Sequence, residues 1–162
     1  MGSFSKRIVL ILVCFVGLLL SANLSAQTFY ANNTLITIDK DTLKQAYFKD
    51  KIVLMNFWFI GCYPCIREIP ELNKIAAEFK DKIVFIAVSK DNSADQIKYF
   101  IKKFPFSFTQ ILPNKELIES LEVDLYPTNF LYNKQGNLVV KTIGYEENTI
   151  AKLREEIEKL VK

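Results

Sequence analysis

Two cysteines stand two residues apart in Gly61-Cys62-Tyr63-Pro64-Cys65. If a helix begins at Cys62, both sulfurs fall within bonding reach across its first turn, and the pair can close a small disulfide. The unpaired backbone N–H groups at a helix start, with the positive end of the helix dipole, favour a thiolate at Cys62. The thiolate is the attacking species in thiol–disulfide exchange, so this position activates Cys62 as a nucleophile. Pro64 suits the first turn, where its missing N–H would have had no partner. Cys65 lies one turn inward, more buried, and is placed to resolve a mixed disulfide.

The same spacing occurs in zinc sites and in structural disulfides. Structural zinc takes four thiolate or imidazole ligands. The chain has three cysteines and no histidine, and Cys14 lies in an apolar leading segment. No metal site is therefore expected, and imidazole general bases and histidine-ligated haem are excluded as well. No cofactor is expected. A purely structural disulfide leaves unexplained why the pair follows an apolar run and opens a helix. An alternative from another class is a copper-binding chaperone, with Cys62 and Cys65 as soft ligands. Such carriers usually add histidine or methionine, and Met55 lies inside an apolar run.

The elements that must position this pair alternate along the chain. Ile52 to Phe59 is almost continuously apolar, as expected of a strand buried on both faces. From Pro64 to Phe79, Ile66, Ile69, Leu72, Ile75, Ala76 and Phe79 recur at helical spacing. Ile83 to Val88 reads as a second buried strand. Ser93 or Asp95 opens an amphipathic helix to Phe104, Phe108 to Leu112 reads as strand, and Lys115 to Leu121 as a short helix. Thr128 to Tyr132 and Leu138 to Ile143 predict a hairpin around Asn133-Lys134-Gln135-Gly136. A last helix from Asn148 buries Ile150, Leu153, Ile157, Leu160 and Val161. Before all of these, Thr34 to Asp39 reads as a short edge strand, and Asp41 or Thr42 as the cap of a helix towards Phe48. Strand–helix–strand followed by hairpin–helix makes an α/β fold, a mixed central β-sheet flanked by helices.

The N-terminus reads as an address. Lys6 and Arg7 precede the apolar run Ile8 to Leu20, and small and polar residues follow to Gln27. That order is expected of a secretory signal peptide over residues 1–26, cut after Ala26. The run is short of the ~20 apolar residues of a spanning helix; the other possibility is an uncleaved anchor. Residues 27–162 then form one domain outside the cytoplasm, in the periplasm or tethered to the outer face of the inner membrane. The net charge of +3 includes Lys6 and Arg7, so the domain is nearly neutral and carries no electrostatic footprint for nucleic acid.

In combination, these motifs resemble the thioredoxin superfamily, and within it the exported TlpA/ResA-like branch. Trp58 stands four residues before the first cysteine, and Pro70 five after the second, where the family has a helix-kinking proline. Tyr126-Pro127-Thr128 precedes the hairpin where the family has a cis-proline, and Gly144 matches a family glycine. The helix and strand between Ser93 and Leu112 correspond to the branch's inserted helix–strand segment. Cytoplasmic members carry a buried aspartate where this chain has Asn56, whereas ResA-like members have a glutamate at the position of Glu68. Gly61 departs from the Trp, Thr or Ser of many relatives and leaves the local surface more open, whereas Tyr63, between the cysteines, is placed to screen the disulfide or contact partners.

The resemblance implies a thioredoxin-like fold and a protein-disulfide oxidoreductase with a Cys62–Cys65 disulfide. Glu68 would accept the proton of Cys65; otherwise it is a surface charge or a partner of Arg67 or Lys74. Pro127 would be cis, with Tyr126, Tyr63 and Trp58 bordering a groove for the partner chain; the alternative for Trp58 is an ordinary core aromatic. Strong oxidants of the superfamily place histidine between the cysteines, and Tyr63-Pro64 carries no charge, which favours a reductase over an oxidant or isomerase. Its partners would be exported proteins with disulfides, apocytochrome c among the candidates, and a membrane-bound thiol donor. A monomer is expected.

Overall fold

A computed structural model describes residues 34–146 and 148–162. The expected signal segment, its cleavage site and Cys14 lie outside the described residues. No helix among the described residues is long and apolar enough to cross a membrane.

The apolar run becomes β3 (Ile52–Trp58), buried along its whole length. It lies at the centre of a five-stranded sheet of order β5-β4-β3-β6-β7. On one side it pairs in parallel with β4 (Ile83–Ser89), which pairs in parallel with β5 (Thr109–Ile111). On the other it pairs antiparallel with β6 (Thr128–Tyr132), which forms the expected hairpin with β7 (Leu138–Ile143). The sheet is mixed and helices cover it, as the element order predicts.

Alternation along the strands divides the core in two. Ile52, Leu54 and Trp58 join one cluster with Ile69, Leu72, Ile97, Leu153 and Ile157. These come from α2 (Tyr63–Phe79), α3 (Ala94–Lys103) and α5 (Thr149–Val161). Val53, Met55 and Phe57 join the opposite cluster with Phe48 of α1 (Gln45–Phe48) and Leu117 of α4 (Lys115–Ser120). Asn56, between Met55 and Phe57, therefore faces α2.

The first elements differ from expectation. The strand before the core is only β1 (Leu35–Ile36), and it pairs with β2 (Thr42–Leu43) in a separate two-stranded sheet. Thr42 is thus in a strand rather than capping a helix, and α1 is a single turn with Lys44 before it. The cause is the Thr37 side chain, whose Oγ1 accepts from the backbone N–H of Asp39 and of Asp41. This closes a turn with Lys40 at φ 70° and sends Asp41 back in extended form. Thr37 also bridges to Ile111, so the segment shields the free edge of β5.

Helix α3 starts as its sequence indicates. Ser93 and Gln96 form a reciprocal capping box, with Asp95 in the first turn and Lys102 and Lys103 in the last. Its Phe100 packs on Trp58 at 5.1 Å between ring centroids, and Phe106 meets the same indole at 5.7 Å. Phe100→Ala should lower stability by about 3–5 kcal/mol, the usual loss for a buried aromatic. Urea unfolding checks this; a loss under about 1 kcal/mol would mean that α3 does not depend on the indole contact.

Candidate active site

The site forms where β3 ends and α2 begins. Cys62 is the N-cap of α2, and Pro64 falls in the first turn. Cys62 and Cys65 form a disulfide, with their Cα atoms 5.3 Å apart. The Cys65 N–H donates to Cys62 Sγ at 3.3 Å, so one of the unpaired N–H groups of the helix start is directed at that sulfur. Cys65 is the more covered of the two, at 1% exposure against 4%.

Several backbone contacts hold the loop before the pair. The Cys62 N–H donates to the Phe59 carbonyl, and the Ile60 N–H to Asn92 Oδ1 at 2.9 Å. Asn92 Oδ1 also accepts from the Ser89 hydroxyl at 3.1 Å. Gly61 has φ +92°, and nothing lies within 4 Å of where its Cβ would be. Glycine is required there by backbone conformation and not by crowding.

The Tyr126–Pro127 peptide bond is cis. The Tyr126 ring meets Phe59 edge-on at 5.4 Å, which brings the segment before β6 beside the loop before Cys62. The Lys90 ammonium lies over both rings, at 5.2 Å from Phe59 and 5.5 Å from Tyr126. Tyr63 is 69% exposed and stands free of the core. The Arg67 guanidinium lies between its ring and that of Tyr145, at 6.0 and 5.8 Å.

Trp58 does not border this surface. It is completely buried between Phe100 and Phe106, so the groove-lining position that the resemblance implies is corrected to a core one. The reason is strand alternation: Trp58 points to the face that α2 and α3 cover.

Glu68 is neither a surface charge nor a partner of Arg67 or Lys74. Lys74 pairs with Glu71, and Arg67 lies over the tyrosine rings. Glu68 is buried one turn beyond Cys65 on the core face of α2. Its Oε1 accepts from Asn129 Nδ2 at 2.8 Å, and its Oε2 from Asn56 Nδ2 at 3.2 Å. Burial raises its pKa to about 7, and the two amide hydrogen bonds oppose the rise. A carboxyl that titrates near neutrality can take or give a proton there.

Asn129, which donates to Glu68, and Thr142, whose hydroxyl accepts from Asn129 Nδ2, join this cluster without having been singled out from the sequence. Asn129 stands in β6 between Thr128 and the apolar Phe130-Leu131-Tyr132, and an amide within a fully buried strand was the available signal. Its partners depend on strand register, which the sequence leaves open.

A family model described as thioredoxin-like matches residues 50–138. The chain belongs to the thioredoxin-like family. It is 35% identical over 98 residues to a thiol-disulfide oxidoreductase ResA of Bacillus cereus, covering 59% of this chain and 57% of that relative's own length. Among solved structures, a thiol:disulfide interchange protein from Bacteroides sp. superposes with TM-score 0.67 at 30% identity, covering 79% of this chain and 84% of that one. The thioredoxin domain of a Bacteroides vulgatus thiol-disulfide oxidoreductase gives TM-score 0.69 at 29% identity, covering 80% and 93%. This chain shares its fold with these two solved structures.

The Glu68 environment has a consequence for stability. Between about pH 4.5 and 7 the unfolded chain loses the Glu68 proton while the folded chain keeps it. Folded protein then binds more protons, so this group makes stability fall as pH rises through that window and levels off above it. The total contribution is about 3 kcal/mol, at 1.36 kcal/mol per pKa unit. Urea unfolding across this range should show that slope in the wild type, and Glu68→Gln should lack it. Equal slopes for the two proteins would contradict the buried, proton-retaining carboxyl.

Proposed function

We propose that the protein is an extracytoplasmic thiol–disulfide oxidoreductase that reduces disulfides in exported proteins, apocytochrome c among the candidates. The observation that carries this is the cysteine pair at the start of α2, with a near-neutral carboxyl one turn inward. The name and similarity of the ResA relatives support it.

In the reduced protein the Cys62 thiolate attacks one sulfur of a substrate disulfide. A mixed disulfide forms, and the other substrate sulfur leaves as a thiolate. Glu68 takes the Cys65 proton, and the Cys65 thiolate attacks Cys62 Sγ. This releases the second substrate thiolate and leaves the Cys62–Cys65 disulfide. The substrate is reduced by two electrons and the enzyme oxidised by two. Tyr63, Tyr126 and Pro127 border the partner's binding surface, where the backbone of Tyr126 pairs with an extended segment of substrate. A membrane-bound thiol donor restores the dithiol. The apolar Ile8–Leu20 run behind Lys6 and Arg7 supports export.

Direction follows from what lies between the cysteines. Tyr63 and Pro64 bring no positive charge to the Cys62 thiolate, so the reduced form lacks the stabilisation that a histidine between the cysteines would add. The reduction potential is expected near thioredoxin's, about −270 mV; a value near −120 mV, that of DsbA, would overturn the reductase assignment.

Cys65→Ser should accumulate mixed disulfides with partner proteins through Cys62, while Cys62→Ser should form none, read on non-reducing gels. Glu68→Gln should slow resolution by about 10²-fold, the lower range for general-base assistance. If Cys65→Ser traps nothing where a matched thioredoxin variant does, and the dithiol instead binds copper with sub-micromolar affinity, the copper-carrier alternative replaces this one.

A further inference from the structure

Three side chains on three strands form one row on the face that α2 covers. Asn56 on β3 is directly opposite Asn129 on β6, and Asn129 is directly opposite Thr142 on β7. All three are buried. Asn129 Nδ2 donates to Glu68 Oε1 and, at 3.1 Å, to Thr142 Oγ1. Asn56 Nδ2 donates to Glu68 Oε2 and, at 2.8 Å, to Asn129 Oδ1. Each amide nitrogen has two hydrogens, and all four are committed.

The directions of these bonds matter. Both oxygens of Glu68 face N–H donors, an arrangement complementary to a carboxylate and not to a carboxylic acid. Asn129 is the keystone, because its amide holds Glu68 directly while its oxygen fixes the Asn56 amide that holds the other carboxylate oxygen. Thr142 in turn takes the second Asn129 hydrogen, which fixes which way the Asn129 amide points.

We propose that Asn129 is a positioning residue for the thiol–disulfide reaction, orienting both amide donors on Glu68 so that this carboxylate is held ready to take the Cys65 proton. The inference rests on the proton-acceptor role of Glu68 proposed above and assigns its control to Asn129. No charged side chain faces Glu68 from β3, β6 or β7 among the residues in the row. On α2 the neighbouring titratable groups are Cys65, Arg67 over its two tyrosine rings, and Glu71 paired with Lys74. Burial pushes the Glu68 pKa up, and Asn129 is the larger of the two hydrogen-bonding influences that bring it down towards 7. Without Asn129 the carboxyl would hold its proton at neutral pH and be unable to accept another.

The test reads Glu68 directly, by carbon-13 NMR titration of its side-chain carboxyl in the oxidised protein, where neither cysteine titrates. The wild-type midpoint is expected near pH 7. Asn129→Leu removes, at similar volume, the donor to Glu68 Oε1 and the acceptor that orients the Asn56 amide, and should raise the midpoint by about one pH unit or more, the effect of one hydrogen bond to a charged group. Asn129→Ser, which keeps a polar side chain but cannot supply the amide, should shift it the same way and serves if the leucine variant does not fold. The rate of mixed-disulfide resolution, followed against pH, should move its inflection in parallel. A folded Asn129 variant with an unmoved midpoint overturns the positioning role. If instead the midpoint moves while Glu68→Gln resolves mixed disulfides at the wild-type rate, the proton-acceptor role fails and Asn129 governs only the titration of a bystander.

Discussion

The antiparallel register between β3 and β6 is the constraint on which the rest of the site depends. It sets Asn56 opposite Asn129 and Phe57 opposite Thr128. Because side chains alternate, a slip of one residue would send Asn129 to the face of Val53, Met55 and Phe57 and bring Phe130 against Glu68. The same register places Pro127, immediately before β6, at the end of β3 from which the loop to Cys62 departs. The edge-on contact of Phe59 with Tyr126 follows from that placement. Polar row and cysteine loop are thus two results of one pairing.

The helix above the row adds the opposing forces. The core face of α2 is Cys65, Glu68, Ile69, Leu72, Ile75, Ala76 and Phe79, a regular apolar stripe with one carboxylate in it. Burying a carboxylate among such residues is costly unless it is hydrogen-bonded. Each amide bond to the charged form contributes about 1.5–3 kcal/mol. The pKa nevertheless rises to about 7, so burial outweighs the pair. A complete cancellation would leave an ordinary carboxylate, always charged at neutral pH. The partial one leaves a group that exchanges a proton near neutral pH.

Much of this was legible before the structure, because the long elements announce themselves. The continuous apolar run of β3, the helical spacing of α2, the Ser93 cap and the turn between β6 and β7 all appear where expected. The β1–β2 pair was not legible, since strands of two residues carry no periodicity, and the turn between them rests on the Thr37 side chain. Cys62 and Cys65 were visible from spacing along one helix, and Glu68 from the resemblance to ResA-like members. Asn129 and Thr142 were not, because their relation to Glu68 crosses three strands and exists only once register is set. For Trp58 the resemblance implied a place beside the groove, with an ordinary core aromatic as the alternative, and strand alternation turns it inward.

The segment after β4 ties these levels together. Beyond the last β4 pairing, the Lys90 N–H donates to the Trp58 carbonyl, so the strand contact continues to the point where β3 gives way to the loop. Asn92 then accepts from Ile60, and Ser93 immediately afterwards caps α3. The helix so started presents Phe100 to Trp58. The turn from β4 into α3 therefore grips the backbone of the cysteine loop while its helix grips the indole four residues before Cys62. A shift of α3 would pull on the loop at both points, which couples the packing of that helix to the position of the redox pair without any direct contact between them being required.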